Sequence, residues 1–565
     1  RPNGAFIMIL FFALFLNAQN IYSQDKTITG NITDASGQPL PGASILEKDT
    51  TNGTQSDFDG NFSLNVTNVN ATLVVSFIGF LSQEIAVAGQ EELKITLLDD
   101  AANLDEVVII GYGSQKKSDL TGSVATISSE ELRSAVFNDV SQMLQGRTSG
   151  VQISNTTAAP GSAPQIRIRG NNSINGSNDP LWVVDGVPLT NAPIFSPNEI
   201  ESFEILKDAS ATAIYGARGA NGVVLLNTKS GKKGKTTFEV YANNALSNPI
   251  DTYNVISNNA DFVTLVNEAR PLQSGGIGGG LPPLVLSDYP ATATDWQDVI
   301  LQSGVRTEFG LNISGGNEKS SLSASANFLD DKGIILGSSF KRGSLRLNMD
   351  FNPTDWISLD FRNSVSYSET KNPNPLQGDR NGSTFSGAAS APPVFTNDYV
   401  GVGLDGFPYT SPLTLLNNRE FETQTTNLLS SLNTTFKLAK HLTFANNTSV
   451  NLRSINPRNY EKSVLGSQQS TAFLAEIKGN DFVVSNFFIY DNDFESKHDI
   501  TLTLGQESSW FNQINFTSSA SDFPTDELGP DNIGVANEQR TTSSRIQSTL
   551  NSFFARANYV FDNKY

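Results

Sequence analysis

The sequence predicts a mostly β chain in three parts: a small N-terminal β-sandwich, a mixed α/β segment, and about ten strands of a large antiparallel transmembrane β-barrel. Three observations carry this reading. The composition joins 38% hydrophobic residues to 45 glycines and abundant Ser, Thr and Asn, which suits short strands between many turns. Period-2 alternation of apolar and polar residues dominates the second half of the chain. The connections between those strands are short and long by turns, as in a barrel with tight turns at one rim and long loops at the other. At 565 residues the length allows three to four domains.

The same composition excludes several functions. Lys and Arg number 38 against 57 Asp and Glu, a formal charge of −19, so the chain lacks the clustered cations that phosphate contacts need and no nucleic-acid partner is expected. Cysteine is absent, which removes disulfides, thiolate metal sites and cysteine nucleophiles. His441 and His498 are the only imidazoles. No nucleophile, metal cluster or acid–base pair stands out, so an enzyme is not expected and neither is a cofactor.

Residues 1–23 read as a secretory signal peptide that is incomplete at its start. Ala5 to Leu16 (AFIMILFFALFL) is an apolar run too short to span a bilayer as a helix, and polar residues follow at once. Ala18 and Ser23 are candidate last residues of the signal. The charged region is reduced to Arg1 and no Met precedes it, so the sequence is expected to begin inside the signal. The competing reading is a buried apolar helix. No later stretch approaches 18 apolar residues, although a barrel crosses lipid on strands of about 9–11 residues.

Residues 26–98 alternate apolar and polar side chains between turns. Ile28–Ile32, Ala43–Leu46, Phe62–Val66, Leu73–Phe77 and Leu93–Leu97 are the predicted strands. Asp57-Phe58-Asp59-Gly60 has the look of a calcium loop. Asn68 stands where an EF-hand needs its twelfth-position acid, so a hairpin turn is the preferred reading. The pattern TGNITDASGQPLPGASI…SDFDGNFSL resembles the carboxypeptidase-D regulatory-like domain, and the resemblance implies a transthyretin-like, non-catalytic sandwich.

Residues 99–113 form an acidic linker followed by Leu104-Asp105-Glu106-Val107-Val108-Ile109-Ile110. The β-branched run favours an extended chain, and Gly111 and Gly113 close it. Two readings stay open: a buried strand of a neighbouring domain, or a free segment whose main chain adds to a partner's sheet edge.

Residues 114–233 carry a dense set of motifs: LTGSVATIS (Leu120–Ser128), MLQGRTSGVQI (Met143–Ile153), IRIRG (Ile166–Gly170), PLWVVDGVP (Pro180–Pro188) and EIESFEILKDASATAIYGARGANGVVLLNTKSG (Glu199–Gly231). With LDEVVIIGYG they resemble the plug region of TonB-linked outer-membrane transporters of the SusC/RagA family. The resemblance implies that Asp105, Glu106, Val107, Val108 and Ile109 are the TonB box, the strand handed to periplasmic TonB. Alternation places Arg167 and Arg169 opposite Ile166 and Ile168 on a strand. The arginines are expected to contact acidic groups of the barrel wall, or else to form an ordinary exposed strand face. Asp185-Gly186 fits a tight hairpin turn. Lys207-Asp208-Ala209-Ser210 opens a short capped helix. Gly216, Gly219 and Gly222 mark close backbone approach rather than a dinucleotide fingerprint, because the G-x-G-x-x-G spacing is missing. Gly234-Lys235-Thr236 likewise ends like a P-loop, but Lys229 stands where its first glycine is required.

Residues 234–565 give the ten predicted barrel strands: Thr236–Leu246, Arg306–Ser314, Ser320–Leu329, Gly343–Phe351, Trp356–Tyr367, Asn427–Leu438, His441–Leu452, Asp481–Tyr490, His498–Gln506 and Arg545–Phe561. Short connections follow the second, fourth, sixth and eighth, and long ones follow the odd strands. A plugged lumen goes with about 22 strands, so these are expected to be the first part of a truncated barrel.

The resemblance implies TonB-dependent import of an oligosaccharide or peptide, with a SusD-like surface lipoprotein as partner. It implies an outer-membrane barrel in contact with lipid and a periplasmic N-terminal domain, in a Gram-negative bacterium. Trp296, Phe385, Phe395, Tyr399, Phe407 and Tyr409 in the long loops are candidate substrate-stacking residues, with loop anchoring as the competing role. A receptor for an iron chelate or for signalling is the alternative function, and a secreted structural adhesin is a third.

Overall fold

The computed structural model describes residues 26–34, 37–48, 50, 52–68, 71–77, 80–87, 90, 92–98, 107–110, 113–116, 124–128, 140–154, 159–189, 191–193, 195–270, 281–372, 384–404, 408–463, 469–494 and 497–561. The signal-peptide expectation therefore lies outside the described residues. Two compact units emerge, Arg1–Val108 with Ser114–Leu120, and Ile109–Gly113 with Thr121–Tyr565. No helix among the described residues is long and apolar enough to cross a membrane.

The first unit is a two-sheet sandwich of strands β1 (Lys26–Thr33), β2 (Ser44–Glu47), β3 (Gly53–Gln55), β4 (Asn61–Val66), β5 (Thr72–Ser76), β6 (Gln83–Ala86) and β7 (Glu92–Thr96). One sheet runs β4-β1-β7 and the other β3-β2-β5-β6. Strict alternation buries Phe62, Leu64 and Val66 from β4 against Ile45, Leu73 and Val75. Gly30 sits where β1 meets both neighbours; a Cβ there would lie 2.3 Å from Leu93 O and 2.6 Å from the Phe62 ring, so only glycine fits. The buried Glu47 carboxylate closes the end of the sandwich. It accepts from Thr67 Oγ1 (2.6 Å) and Asn52 Nδ2 (2.8 Å). Burial alone would raise its pKa, but these bonds outweigh burial and hold it below the usual range.

Two sequence expectations change here. Strands β3 and β6 are additional, being only three and four residues long with little apolar content. Asp57–Gly60 is a turn, with Asp57 Oδ1 accepting from the main-chain N–H of Asp59 and Asn61. It joins β3 to β4 in different sheets, so it is not a hairpin.

In the second unit, a five-stranded sheet runs β10-β15-β16-β13-β14. Its strands are β10 (Val124–Ser128), β13 (Leu181–Val184), β14 (Val187–Leu189), β15 (Ile200–Leu206) and β16 (Val223–Thr228). Strands β11 (Val151–Ser154) and β12 (Gln165–Ile168) pair beside it. Ile166, Ile168, Trp182, Phe203, Val224 and Leu226 share one core. Asp185 and Gly186 both have positive φ (48° and 84°), the geometry of a two-residue β-hairpin. Gly222, at φ 88°, lies so close to Ile168 that a Cβ would stand 2.7 Å from its Cδ1. Asp208 occupies the N-cap of the short helix Ala209–Thr212 without making a side-chain cap bond, and its carboxylate pairs with Arg169.

Ten strands then form one antiparallel sheet in sequence order. They are β17 (Gly234–Ser247), β18 (Gly304–Gly316), β19 (Ser320–Lys332), β20 (Ser339–Thr354) and β21 (Ile357–Lys371), then, after the short antiparallel pair β22 (Val400–Val402) and β23 (Pro408–Thr410), which is not part of the sheet, β24 (Arg419–Ala439), β25 (Leu442–Glu461), β26 (Thr471–Phe494), β27 (His498–Ser521) and β28 (Glu538–Phe561). All ten predicted barrel strands are present. Short turns close β18–β19, β20–β21, β24–β25 and β26–β27 at one rim. Every strand is longer than predicted, and the additions to β24–β28 are largely polar segments at the opposite rim, such as Arg419–Thr426 and Ser508–Ser521. Residues paired across the ladders share a face, so the faces can be followed through the sheet. Phe309, Leu311, Leu345, Leu347 and Val365 lie on the outer face and are solvent-accessible in the isolated chain. This is the apolar band expected of a membrane-facing wall.

Candidate functional site

The inner face of the sheet is the one that meets the plug sheet, and the contact is polar. Alternation along β20 aims Arg342, Ser344, Arg346 and Asn348 inward, opposite the outward Leu345 and Leu347. Arg346 Nε donates to Glu199 Oε2 (3.2 Å), and Ser344 Oγ donates to Glu199 Oε1 (2.8 Å). The guanidinium also lies 3.7 Å from Asp185 Oδ2 and 4.1 Å from the centroid of the Phe195 ring. Asn348 Nδ2 donates to Thr228 Oγ1 (2.8 Å) and Lys229 O (2.9 Å), and Arg342 Nη1 donates to Phe195 O (2.8 Å). On β18, Glu308 Oε1 accepts from Ser196 Oγ (2.9 Å) and from Asn327 Nδ2 (3.0 Å). Glu199, Arg346, Arg342 and Glu308 are all buried. Their charges are tolerated there because each is paired or hydrogen-bonded.

The same face meets the plug again on β27, where Arg218 pairs with the buried Glu507. Ser485 Oγ also donates to Glu507 Oε2 (3.1 Å). Contact at β18–β20 and again at β27 means that the sheet wraps around the plug. An interface built mainly from hydrogen bonds and ion pairs can be hydrated when it opens, whereas an apolar one would expose its core to water.

The predicted arginine contacts need correction. Arg167 Nη1 pairs with Asp179 at 2.5 Å, and Arg169 pairs with Asp208, so both acids belong to the plug itself. Ile166 and Ile168 do face the plug core, as alternation required. Arg169 is half exposed and Arg167 half-buried, and a nearby loop acid neutralises each. The charges that bridge plug and wall at β20 have the opposite arrangement, with acids on the plug and the cation on the wall. The signal was present in KRGSLRLNMD, where Arg342, Ser344 and Arg346 alternate with Gly343, Leu345 and Leu347, but alternation names a face and no partner.

Of the expected TonB-box residues, Asp105 and Glu106 lie outside the described residues. Val107, Val108 and Ile109 belong to β8 (Val107–Ile110), which forms a two-stranded sheet with β9 (Gly113–Lys116). The extended reading of this segment is therefore met, with a local partner.

The six loop aromatics also redistribute. Trp296 and Phe395 are buried in a small loop core, where Trp296 Nε1 donates to Pro392 O (2.9 Å). Phe395 stacks on Tyr399 with centroids 4.0 Å apart, and Tyr409 packs against both. Burial pushes the Tyr409 phenol above its usual range. The Phe385 side chain and Phe407 lie outside the described residues. Four of the six candidates thus anchor the loops. A cavity of about 750 Å³ beside this core is lined by Arg270, Tyr289, Phe395, Tyr399 and Leu404 among others. Arg270 Nη2 is engaged by Leu404 O at 2.9 Å.

His441 Nδ1 lies 2.9 Å from Asp491 O, and His498 Nδ1 lies 2.8 Å from Tyr559 Oη. Among the described residues no cluster of acidic or imidazole groups could hold a metal ion.

Comparison with known proteins gives two family matches: a CarboxypepD_reg-like domain over residues 28–109 and a TonB-dependent receptor plug domain over residues 116–223. TonB-dependent receptor P39 of Formosa agariphila is 32% identical over 583 residues, covering 99% of this chain and 53% of that protein. TonB-dependent receptor SusC of Bacteroides thetaiotaomicron is 38% identical over 353 residues, covering 61% of this chain and 34% of that protein. The chain spans about half the length of the P39, P26 and P3 receptors of F. agariphila that it matches. Among solved structures, the RagAB peptide importer in its open-open state superposes with a TM-score of 0.69 at 23% identity, over 81% of this chain and 55% of that one. At that identity the likeness establishes the fold.

Proposed function

Starting from a chain that belongs to the SusC-like TonB-dependent receptors, we propose that it serves an outer-membrane importer for an oligosaccharide or peptide nutrient. The observation that carries this reading is the polar seam between plug and wall. Glu199, Asp185 and Arg218 hold the plug through groups that water can replace, so the plug is secured at rest and movable under force. Substrate enters the vestibule above the plug from the outside, beneath a SusD-like lipoprotein. The segment Asp105–Ile109 then serves as the TonB box. TonB, driven from the inner membrane, adds to Val107–Ile109 by main-chain pairing and pulls, which rearranges the plug. The sandwich of residues 26–98 lies on the periplasmic side in this scheme. No chemistry is performed on the cargo.

Strand β8 is paired with β9 along one edge of a two-stranded sheet, so TonB either joins its other edge or exchanges with β9. Each main-chain bond contributes only about 0.5–1.5 kcal/mol net, so such an exchange is feasible while the full ladder still bears load. Val108→Pro removes one donor and opposes the ladder. In the full-length receptor it is expected to abolish energised uptake while leaving surface binding of nutrient intact. Uptake at the wild-type rate would sink the box assignment. The iron-chelate alternative is separated by growth under iron limitation against growth on glycan or peptide.

A further inference from the structure

Above the plug, the inner wall carries two phenylalanines in one row. The ladders pair Phe421 with Asn459, Asn459 with Phe473, Phe473 with Ser519 and Ser519 with Arg540. Phe421 lies eight residues along β24 from Leu429, which packs into the plug core, so the row stands about 27 Å further up the wall. The parity that puts Leu429, Asn447 and Glu507 against the plug also turns this row inward. Most inward positions around it are Thr, Ser and Asn, yet Phe473 is 40% exposed and Phe421 is partly exposed. Phe487 and Phe554, lower on the same face, instead pack on one another at 5.8 Å. The row borders a cavity of about 630 Å³.

We propose that Phe421 and Phe473 form a two-ring platform in the vestibule that binds a neutral oligosaccharide. This rests on the importer reading and names the class of its cargo. One strand, β25, separates the rings, and two inter-strand spacings make about 10 Å, which is comparable with two linked sugar rings. The electron-rich face of a phenyl ring attracts the weakly positive C–H groups on the flat side of a sugar. Asn459 lies between the rings, with Ser519 beside Phe473 and Glu461 and Arg540 at the margins, to meet hydroxyl groups.

Two features disfavour a peptide. The main chain of β25, β26 and β27 is engaged in ladders on both sides, so an extended peptide finds no sheet edge between the two rings. The charges at the site also cancel, with Arg419 and Arg540 against Glu461 and Glu538, and Arg419 Nε is held by Glu461 at 3.0 Å. A charged backbone terminus would gain little there.

The platform is braced from behind. On the outer face of the same strands, Tyr460, Ala472 and Ala520 pack with Phe523 of the loop after β27, and Tyr460 Oη donates to Asp526 Oδ1 at 2.7 Å. A wall stiffened in this way holds its rings in place before the ligand arrives, which lowers the ordering cost of binding.

The test uses the full-length receptor in outer membranes, with the linear hexaoses of cellulose, starch and laminarin and a mixed-sequence hexapeptide pool as probes. At least one hexaose is expected to bind, and Phe421→Ala with Phe473→Ala is expected to weaken it about ten- to a hundred-fold. Phe473→Trp should keep the affinity and shift its indole emission when that sugar is added. Should the double alanine variant fail to reach the membrane, Phe421→Leu with Phe473→Leu keeps the bulk and removes the ring faces, and the same loss is expected. Wild-type affinity in the double variant, with energised sugar uptake intact, overturns the platform and leaves the importer standing. Binding of peptides alone overturns the sugar assignment. Absence of energised uptake for both probe classes removes the importer reading and the platform with it.

Discussion

The two halves of the ten-stranded wall share a topology and differ in what they face. Strands β17–β21 are 13–16 residues long, and β18–β20 spend their inner face on the plug through Glu308, Arg342, Arg346 and Asn348. Strands β24–β28 are 20–24 residues long and touch the plug mainly low down, at Leu429, Asn447 and Glu507. Their upper portions rise beyond the apolar band. There even the outer face is charged, with ion pairs such as Lys478–Glu476 and Lys462–Glu420. Strand length thus divides the labour, the short strands gripping the plug and the long ones building a vestibule. The polar grip is specific because it is buried.

The largest effect is expected from breaking the grip. Arg346→Ala leaves Glu199 buried without its cation, and removing one member of a buried pair costs about 3–5 kcal/mol. The plug should then unfold or leave the lumen at lower urea than in wild type, as read by protease cleavage within residues 140–228. Unchanged urea dependence would mean that the wall does not hold the plug through this pair.

A smaller effect is expected from the brace behind the vestibule. Burial raises the pKa of Asp526, but bonds from Tyr460 and Ser463 outweigh it, so the carboxyl is held below its usual range. A depressed folded-state pKa stabilises at pH above the unfolded value of about 4, and that contribution is lost as pH falls through the lower folded value. Protease cleavage of residues 522–537 should therefore increase below about pH 4. Asp526→Asn should increase it at neutral pH by the equivalent of about 1 kcal/mol and flatten the pH response. A loop equally protected at pH 3 and pH 7 would contradict the brace.

The smallest effect sharpens the contrast from the plug side. Asp179 is 62% exposed, so Arg167→Ala should change plug stability by no more than about 1 kcal/mol in the same urea assay. A loss as large as that of Arg346→Ala would return Arg167 to the role first expected of it.

The sequence by itself determined the order of the parts and the ten strands of the wall. Alternation is a local property of the chain, and the Asp185-Gly186 turn, five of the seven sandwich strands and all ten barrel strands could be read from neighbours a few residues apart. The motifs from Leu120 to Gly231 identified the plug for the same reason. Tertiary structure decided which charges meet. Arg167 and Arg346 both alternate with apolar residues on strands, and only the packing of plug on wall sends one to a loop acid and the other to Glu199. It decided the fate of the aromatics as well. Trp296 and Phe395 lie in long loops that promised exposure, yet they turn inward to anchor those loops. Phe421 and Phe473 stood before the predicted strand starts, in polar segments whose extension into strands depends on pairing with partners far along the chain. Contacts between distant residues are set by register and by the closure of the sheet, and no local pattern records them.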